Sequence, residues 1–126
     1  MAKILIVEDD KIILNMYRVK FTKAMHEVQI SENGADALKL MKSFNPDIVL
    51  MDLMMPVMDG FTALKNAKAD PAISNIPIII LTNLSQTEDA DQTMKNGAAA
   101  YMIKSDLTPT QVLEKVENFL DSSKRS

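Results

Sequence analysis

The apolar residues of this chain fall into short unbroken runs separated by longer amphipathic stretches. Four runs stand out: "KILIV" (3–7), "DIVLM" (47–51), "PIIIL" (77–81) and "AAYMI" (99–103). Each is short, rich in β-branched or large apolar residues, and bounded by polar or turn residues. An unbroken run suits a strand covered on both faces, and so a parallel sheet. A fifth stretch, "HEVQIS" (26–31), alternates and puts Val28 and Ile30 on one face, as an edge strand does.

The stretches between carry helical spacing. Residues 11–24 place Ile13, Met16, Tyr17, Phe21 and Ala24 on one stripe. Residues 35–44 offer Ala37, Leu38 and Met41, and residues 60–69 offer Phe61, Leu64 and Ala67. In "SQTEDADQTMKNG", Ser85 reads as an N-cap, Glu88 closes a capping box, and Gly97 is the stop. In "TPTQVLEKVENFL", Thr108 is the cap, Pro109 the first helical residue, and Gln111 the closing partner. The stripe that follows is Val112, Leu113, Val116, Phe119 and Leu120. The order βαβαβαβαβα with short connections predicts an open, doubly wound α/β sheet with helices on both faces.

Composition narrows the setting. With 126 residues and 47% hydrophobic content, the chain makes one domain with a real core. A net charge of −3 gives no basic patch for nucleic acid. Cysteine is absent, which excludes disulfides, thiol catalysis and zinc–thiolate sites. The N-terminus turns acidic after four apolar residues, unlike a signal peptide. No segment approaches the roughly 20 apolar residues of a membrane span. The expected location is the cytoplasm. Ten methionines against four phenylalanines read as flexible core filling. The single histidine, His26, reads as a surface residue and not a ligand.

Ligands of open α/β folds bind outside the carboxyl ends of the strands. The first strand here ends in Glu8-Asp9-Asp10, the third in Asp52, the fourth in Thr82 and the fifth in Lys104. Taken singly, each has a bland reading, and Asp10 is best read as a helix cap. Together they are a set. Crowded carboxylates disfavour their ionised forms, and a divalent cation reverses that. Magnesium takes hard oxygen ligands, keeps waters, and needs only one or two carboxylates beside a phosphate. Lysine supplies a compact positive charge for a phosphoryl oxygen, and threonine a hydroxyl donor. A carboxylate nucleophile with these neighbours describes phosphoryl transfer onto an aspartate.

The segments "ILIVEDD", "DIVLMDLMMPVMDG", "PIIILT" and "GAAAYMIK" resemble the receiver domain of bacterial response regulators, in order and spacing, over about residues 3–120. The resemblance implies a flavodoxin-like (βα)5 fold with strand order 2-1-3-4-5. Residues 1–121 would be the receiver and 122–126 a short polar tail. It implies that Asp52 is the phosphoacceptor, and that Glu8 and Asp9 form the acidic pair, with Asp9 a direct Mg2+ ligand. The Met54 backbone carbonyl would be a further ligand. Thr82 and Lys104 would bind the phosphoryl group. Thr82 and Tyr101 would form the switch, although Tyr101 also suits a strand aromatic packed on the last helix. The implied partners are a histidine kinase or histidine phosphotransfer protein, and a downstream protein bound on the fourth helix, fifth strand and fifth helix. No nucleic acid or membrane is expected to bind this domain. The function implied is a switch and not a turnover enzyme.

Three departures stand out. Ser105 follows Lys104 where the family usually has proline, often after a cis bond. A cis bond before serine costs about 2.5–4 kcal/mol, so this loop is expected to differ. Asn83 follows Thr82 where a small residue is usual. Met54 and Leu84 are apolar where polar residues commonly flank the phosphoryl group, which predicts slow self-dephosphorylation unless Asn83 orients the attacking water. The alternative is a phosphatase of haloacid-dehalogenase type, which also places a nucleophilic aspartate at a strand end. Such enzymes carry a second acid two residues on, where Met54 stands, and need a cap for substrate. A flavin site finds no Ser/Thr/Gly-rich phosphate loop here.

Overall fold

A computed structural model of the protein describes residues 1–125. Five strands, β1 (Lys3–Val7), β2 (Glu27–Ser31), β3 (Ile48–Met51), β4 (Ile78–Thr82) and β5 (Ala100–Ile103), form one parallel sheet in the order β2-β1-β3-β4-β5. The helices are α1 (Lys11–Lys23), α2 (Gly34–Phe44), α3 (Gly60–Ala69), α4 (Thr87–Lys95) and α5 (Pro109–Arg125), with a 3-10 turn at Lys104–Asp106. Helix α5 continues past residue 121, so the stretch read as a polar tail is helical through Arg125. Ser126 lies outside the described residues.

The period of two along each strand explains the unbroken runs. Leu5, Val7, Val49, Met51, Ile78 and Ile80 face α2 and α3, burying Ala37, Met41, Ala63, Leu64 and Ala67. Ile4, Ile6, Ile48, Leu50, Ile79 and Leu81 face α1 and α5, burying Leu14, Tyr17, Phe21, Val112 and Val116. Both sets are apolar because both faces are covered. At the β2 edge the cover thins: Val28 is half-buried and Ile30 is exposed, so the predicted shared face is only partly an inward one.

Several predicted details differ. The buried stripe of α1 is Leu14, Tyr17 and Phe21; Met16 turns outward, because the helix contacts the sheet through positions i, i+3 and i+7. Helix α4 is capped at Gln86 with no side-chain bond, and not at Ser85 with a box to Glu88. Its C-terminus does follow the sequence: Gly97 is at φ +103°, and Gly97 and Ala98 N–H donate to Met94 and Thr93 carbonyls, a Schellman stop. The α5 box also forms, with Gln111 N–H donating to Thr108 Oγ1 and Thr108 N–H to Gln111 Oε1. Of the methionines, Met41, Met51 and Met102 fill the core, whereas Met1, Met16, Met25, Met54 and Met94 are exposed. His26 is not a surface residue. Its side chain is 7% exposed, Nδ1 accepts the Ala2 N–H at 3.1 Å, and Nε2 meets Glu117 at 2.9 Å. It ties the N-terminus to α5.

Candidate functional site

The parallel register places the ends of β1, β3, β4 and β5 on one rim. Asp52 follows the last residue of β3, and its backbone N–H donates to Val7 O at 3.0 Å, which holds it beside the end of β1. Glu8, directly after β1, is held in turn by its N–H bond to Ser31 O. Carboxylate oxygens of Glu8, Asp9 and Asp52 lie within 4.8 Å of one another. Glu8 and Asp52 are buried and Asp9 is exposed, so the cluster opens to solvent on one side.

Each oxygen of Asp52 has its own partner. Oδ1 accepts the Leu53 N–H at 2.7 Å and a longer approach from the Met54 N–H at 3.5 Å. Oδ2 accepts from Lys104 Nζ at 2.7 Å. Lys104 also pairs with Glu8 Oε1, and Glu8 Oε2 accepts the Asp10 N–H at 3.1 Å. One ammonium thus stands between two buried carboxylates. Burial pushes the Glu8 carboxyl above the ordinary range, against the opposing pull of Lys104. Burial also acts to lower Lys104, but its bonds to Asp52 and Glu8 outweigh this and hold it above the usual lysine value.

Asp10 is the N-cap of α1, as its position predicts, with Oδ1 accepting from Ile12 and Ile13 N–H. Asp9 is left for the cluster. Three clustered carboxylates are a hard-oxygen donor set that fits a divalent cation retaining water. Met54 lies on the loop after β3 with its side chain exposed. Further along the same loop, Val57 has a left-handed backbone (φ +67°), rare for a β-branched residue, where Met58 N–H closes back on Pro56 O at 2.7 Å.

Thr82 is fully buried at the end of β4, and its Oγ1 accepts the Leu84 N–H at 3.3 Å. Tyr101 does not touch the acids. Its ring packs half-buried against the α2–α3 side of the core, its hydroxyl donates to Leu84 O at 2.6 Å, and burial raises the phenol above its ordinary value. Leu84 packs against the same core, so it is not simply a flank of the site. The Lys104–Ser105 peptide is trans, and the Ser105 N–H donates to Asn83 Oδ1 at 3.0 Å. Asn83 is therefore turned toward Ser105. Neither this bond nor the Lys104–Glu8 pair follows from sequence spacing. The signal available was the pairing of two unusual residues, Asn83 and Ser105, each directly after a rim residue.

Residues 4–117 match the family described as the response regulator receiver domain. The chain is 38% identical to protein PilH of Pseudomonas aeruginosa, over 82% of this chain and 86% of that one. It is 36% identical to response regulator PleD of Caulobacter vibrioides, also over 82% of this chain. It spans only 23% of PleD's length and 43% of that of RpaA from Synechocystis. Among solved structures, a CheY-like receiver domain protein of Methanospirillum hungatei aligns with TM-score 0.90 at 26% identity, covering 99% of this chain and 98% of that one. The Francisella response regulator 1452 receiver domain aligns with TM-score 0.88 at 28% identity, covering 98% and 99%. These matches give no support to the haloacid-dehalogenase alternative.

Proposed function

The chain belongs to the response regulator receiver family, and from that premise we propose that Asp52 accepts a phosphoryl group from a histidine kinase or histidine phosphotransfer protein. The single observation that carries this reading is Asp52 itself, a carboxylate with one oxygen pinned by backbone N–H groups and the other held by Lys104 at 2.7 Å. Oδ2 is the nucleophile. It attacks phosphorus as the phosphorus–nitrogen bond of the donor imidazole breaks, and the imidazole leaves with the bonding pair. Lys104 needs only a small movement to exchange the carboxylate oxygen for a phosphoryl oxygen. The Thr82 hydroxyl accepts from Leu84, which leaves its own proton to donate to the phosphoryl group.

Glu8, Asp9, Asp52 and the Met54 backbone carbonyl would hold Mg2+, which when bound neutralises charge on the transferred group. The new acyl phosphate adds about 1.5 to 2 negative charges at the rim. The readout face is α4, β5 and α5, offered to a downstream protein. The reading describes a switch in the cytoplasm and not a turnover enzyme. Among the described residues, no helix is long and apolar enough to cross a membrane.

Intact mass after incubation with phosphoramidate and Mg2+ tests the reading. The wild type gains one phosphoryl group, whereas Asp52→Asn gains none and excess chelator abolishes the gain. A full gain in Asp52→Asn overturns the assignment of Asp52, and an undiminished gain in chelator overturns the metal dependence.

A further inference from the structure

The β4–β5 ladder ends at the pair Thr82 and Ile103. Beyond it, β4 runs into the loop toward α4, and β5 into the 3-10 turn Lys104–Asp106. One bond carries the pairing a step further, from the Ser105 N–H to Asn83 Oδ1 at 3.0 Å. Asn83 and Ser105 directly follow Thr82 and Lys104. A single side chain therefore clasps the end of β4, which bears the hydroxyl, to the turn that bears the ammonium of the site. The clasp also satisfies an N–H at the start of a helical turn that has no side-chain cap at its first position, where backbone donors have no intrahelical acceptor.

We infer that Asn83 is a positioning residue for Lys104, an inference that rests on Asp52 being the phosphoacceptor. Lysine carries its charge on a long flexible stem, so the ammonium is only as well placed as the backbone it springs from. That backbone is the first residue of the 3-10 turn, and Asn83 fixes the next residue against β4. Loss of the clasp lets the turn drift relative to Thr82, so the two phosphoryl contacts no longer form together. The carboxylates themselves stay in place, because Glu8, Asp9 and Asp52 directly follow β1 and β3 and make no bond to Asn83, and a loosened Lys104 only frees the Glu8 and Asp52 oxygens it holds. The signature of this role is therefore a split: phosphoryl-group binding weakens while metal binding does not. Asn83 is exposed, so its truncation leaves the core intact.

Beryllofluoride, titrated in Mg2+ and followed by amide chemical shifts, reads phosphoryl-group binding; phosphoramidate with intact mass reads transfer rate. Asn83→Ala should weaken the first and slow the second by about three- to tenfold, the equilibrium worth of one hydrogen bond. Its Mg2+ affinity without fluoride should not fall, because the Lys104 ammonium competes with the cation for Glu8 and Asp52, and its melting temperature should drop by no more than about 2–6 °C, the worth of the one bond. Ser105→Ala keeps the backbone N–H and should behave as wild type. Asn83→Asp keeps the acceptor and should retain the hydrogen-exchange protection of the Ser105 amide that Asn83→Ala loses. Wild-type beryllofluoride affinity in Asn83→Ala overturns the inference, as does an equal loss of Mg2+ affinity. A wild type that takes no phosphoryl group from phosphoramidate fails the underlying reading instead. A phosphorylated wild type matched by Asn83→Ala fails only the positioning role.

Discussion

Met54 and Leu84 looked alike in the sequence, two apolar residues flanking the phosphoryl site, yet the fold separates them. Leu84 packs against the core and offers its backbone to Thr82 and Tyr101, whereas Met54 is 61% exposed one residue beyond Leu53. Asn83, the candidate for orienting water, has its amide oxygen committed to Ser105. An acyl phosphate is lost when an oriented water attacks phosphorus in line, and an orienting group is worth about 1.4 kcal/mol per tenfold in rate. Met54→Asn alone should therefore speed loss of the phosphoryl group, by roughly tenfold, measured as decay of the phosphorylated mass after the donor is removed. Decay at the wild-type rate would defeat the expectation. Which residues stand at the rim is legible in the sequence, because each ends an apolar run. Which atom each one holds is not, because that depends on distances between strands far apart in the chain, as with Lys104 and Glu8.

Helix α3 begins where Gly60 has no room for a side chain. A Cβ on Gly60 would overlap the Asp52 carbonyl oxygen and come within 2.8 Å of Leu53 Cα. Both are backbone atoms of the segment that carries Asp52, the proposed acceptor. The close approach is fastened by the Gly60 N–H bond to Leu53 O at 2.9 Å and by the Asp59 cap on the Thr62 N–H at 2.8 Å. Gly60→Ala should destabilise the protein by about 1–3 kcal/mol through forced backbone shifts, and Asp59→Ala by about 1 kcal/mol through loss of the cap. Denaturant midpoints at equal slope measure both; a Gly60→Ala midpoint equal to the wild type would refute the close packing. Strands and helix ends are the legible elements: strands because both faces are buried, and the ends of α4 and α5 because Gly97 and the Thr108–Gln111 pair have strong local chemistry. The start of α4 is not legible. Thr93 is its single buried residue, so no apolar stripe fixes where it begins, and Ser85 and Gln86 compete as caps.

On the scale of the whole molecule, the proposed switch requires the rim to act on the α4–β5–α5 face, and the structure offers a physical chain for it. Thr82 Oγ1 accepts the Leu84 N–H, and Leu84 O accepts the Tyr101 hydroxyl at 2.6 Å. Thr82 is buried and has little freedom to move alone. If its hydroxyl is drawn to a phosphoryl group carrying about 1.5 to 2 negative charges, Leu84 moves with it, and so does the Tyr101 ring on β5. Tyr101 is already packed inward against the core, so the expected response is a shift of the loop between β4 and α4 with the ring following, and not a full turn of an exposed ring. The bond itself is worth about 0.5–1.5 kcal/mol, enough to change the ratio of two states by about two- to tenfold. Saturating beryllofluoride with Mg2+ should therefore move amide signals across residues 85–103 in the wild type. Tyr101→Phe keeps the ring and its packing but loses the hydroxyl, so at the same saturation it should move those signals by less while the Asp52 loop responds in full. Equal responses in the two proteins would remove the Tyr101–Leu84 bond from the pathway. Changes confined to the loops at Asp9, Asp52 and Lys104, in the wild type itself, would mean that the rim and the α4–β5–α5 face are not coupled.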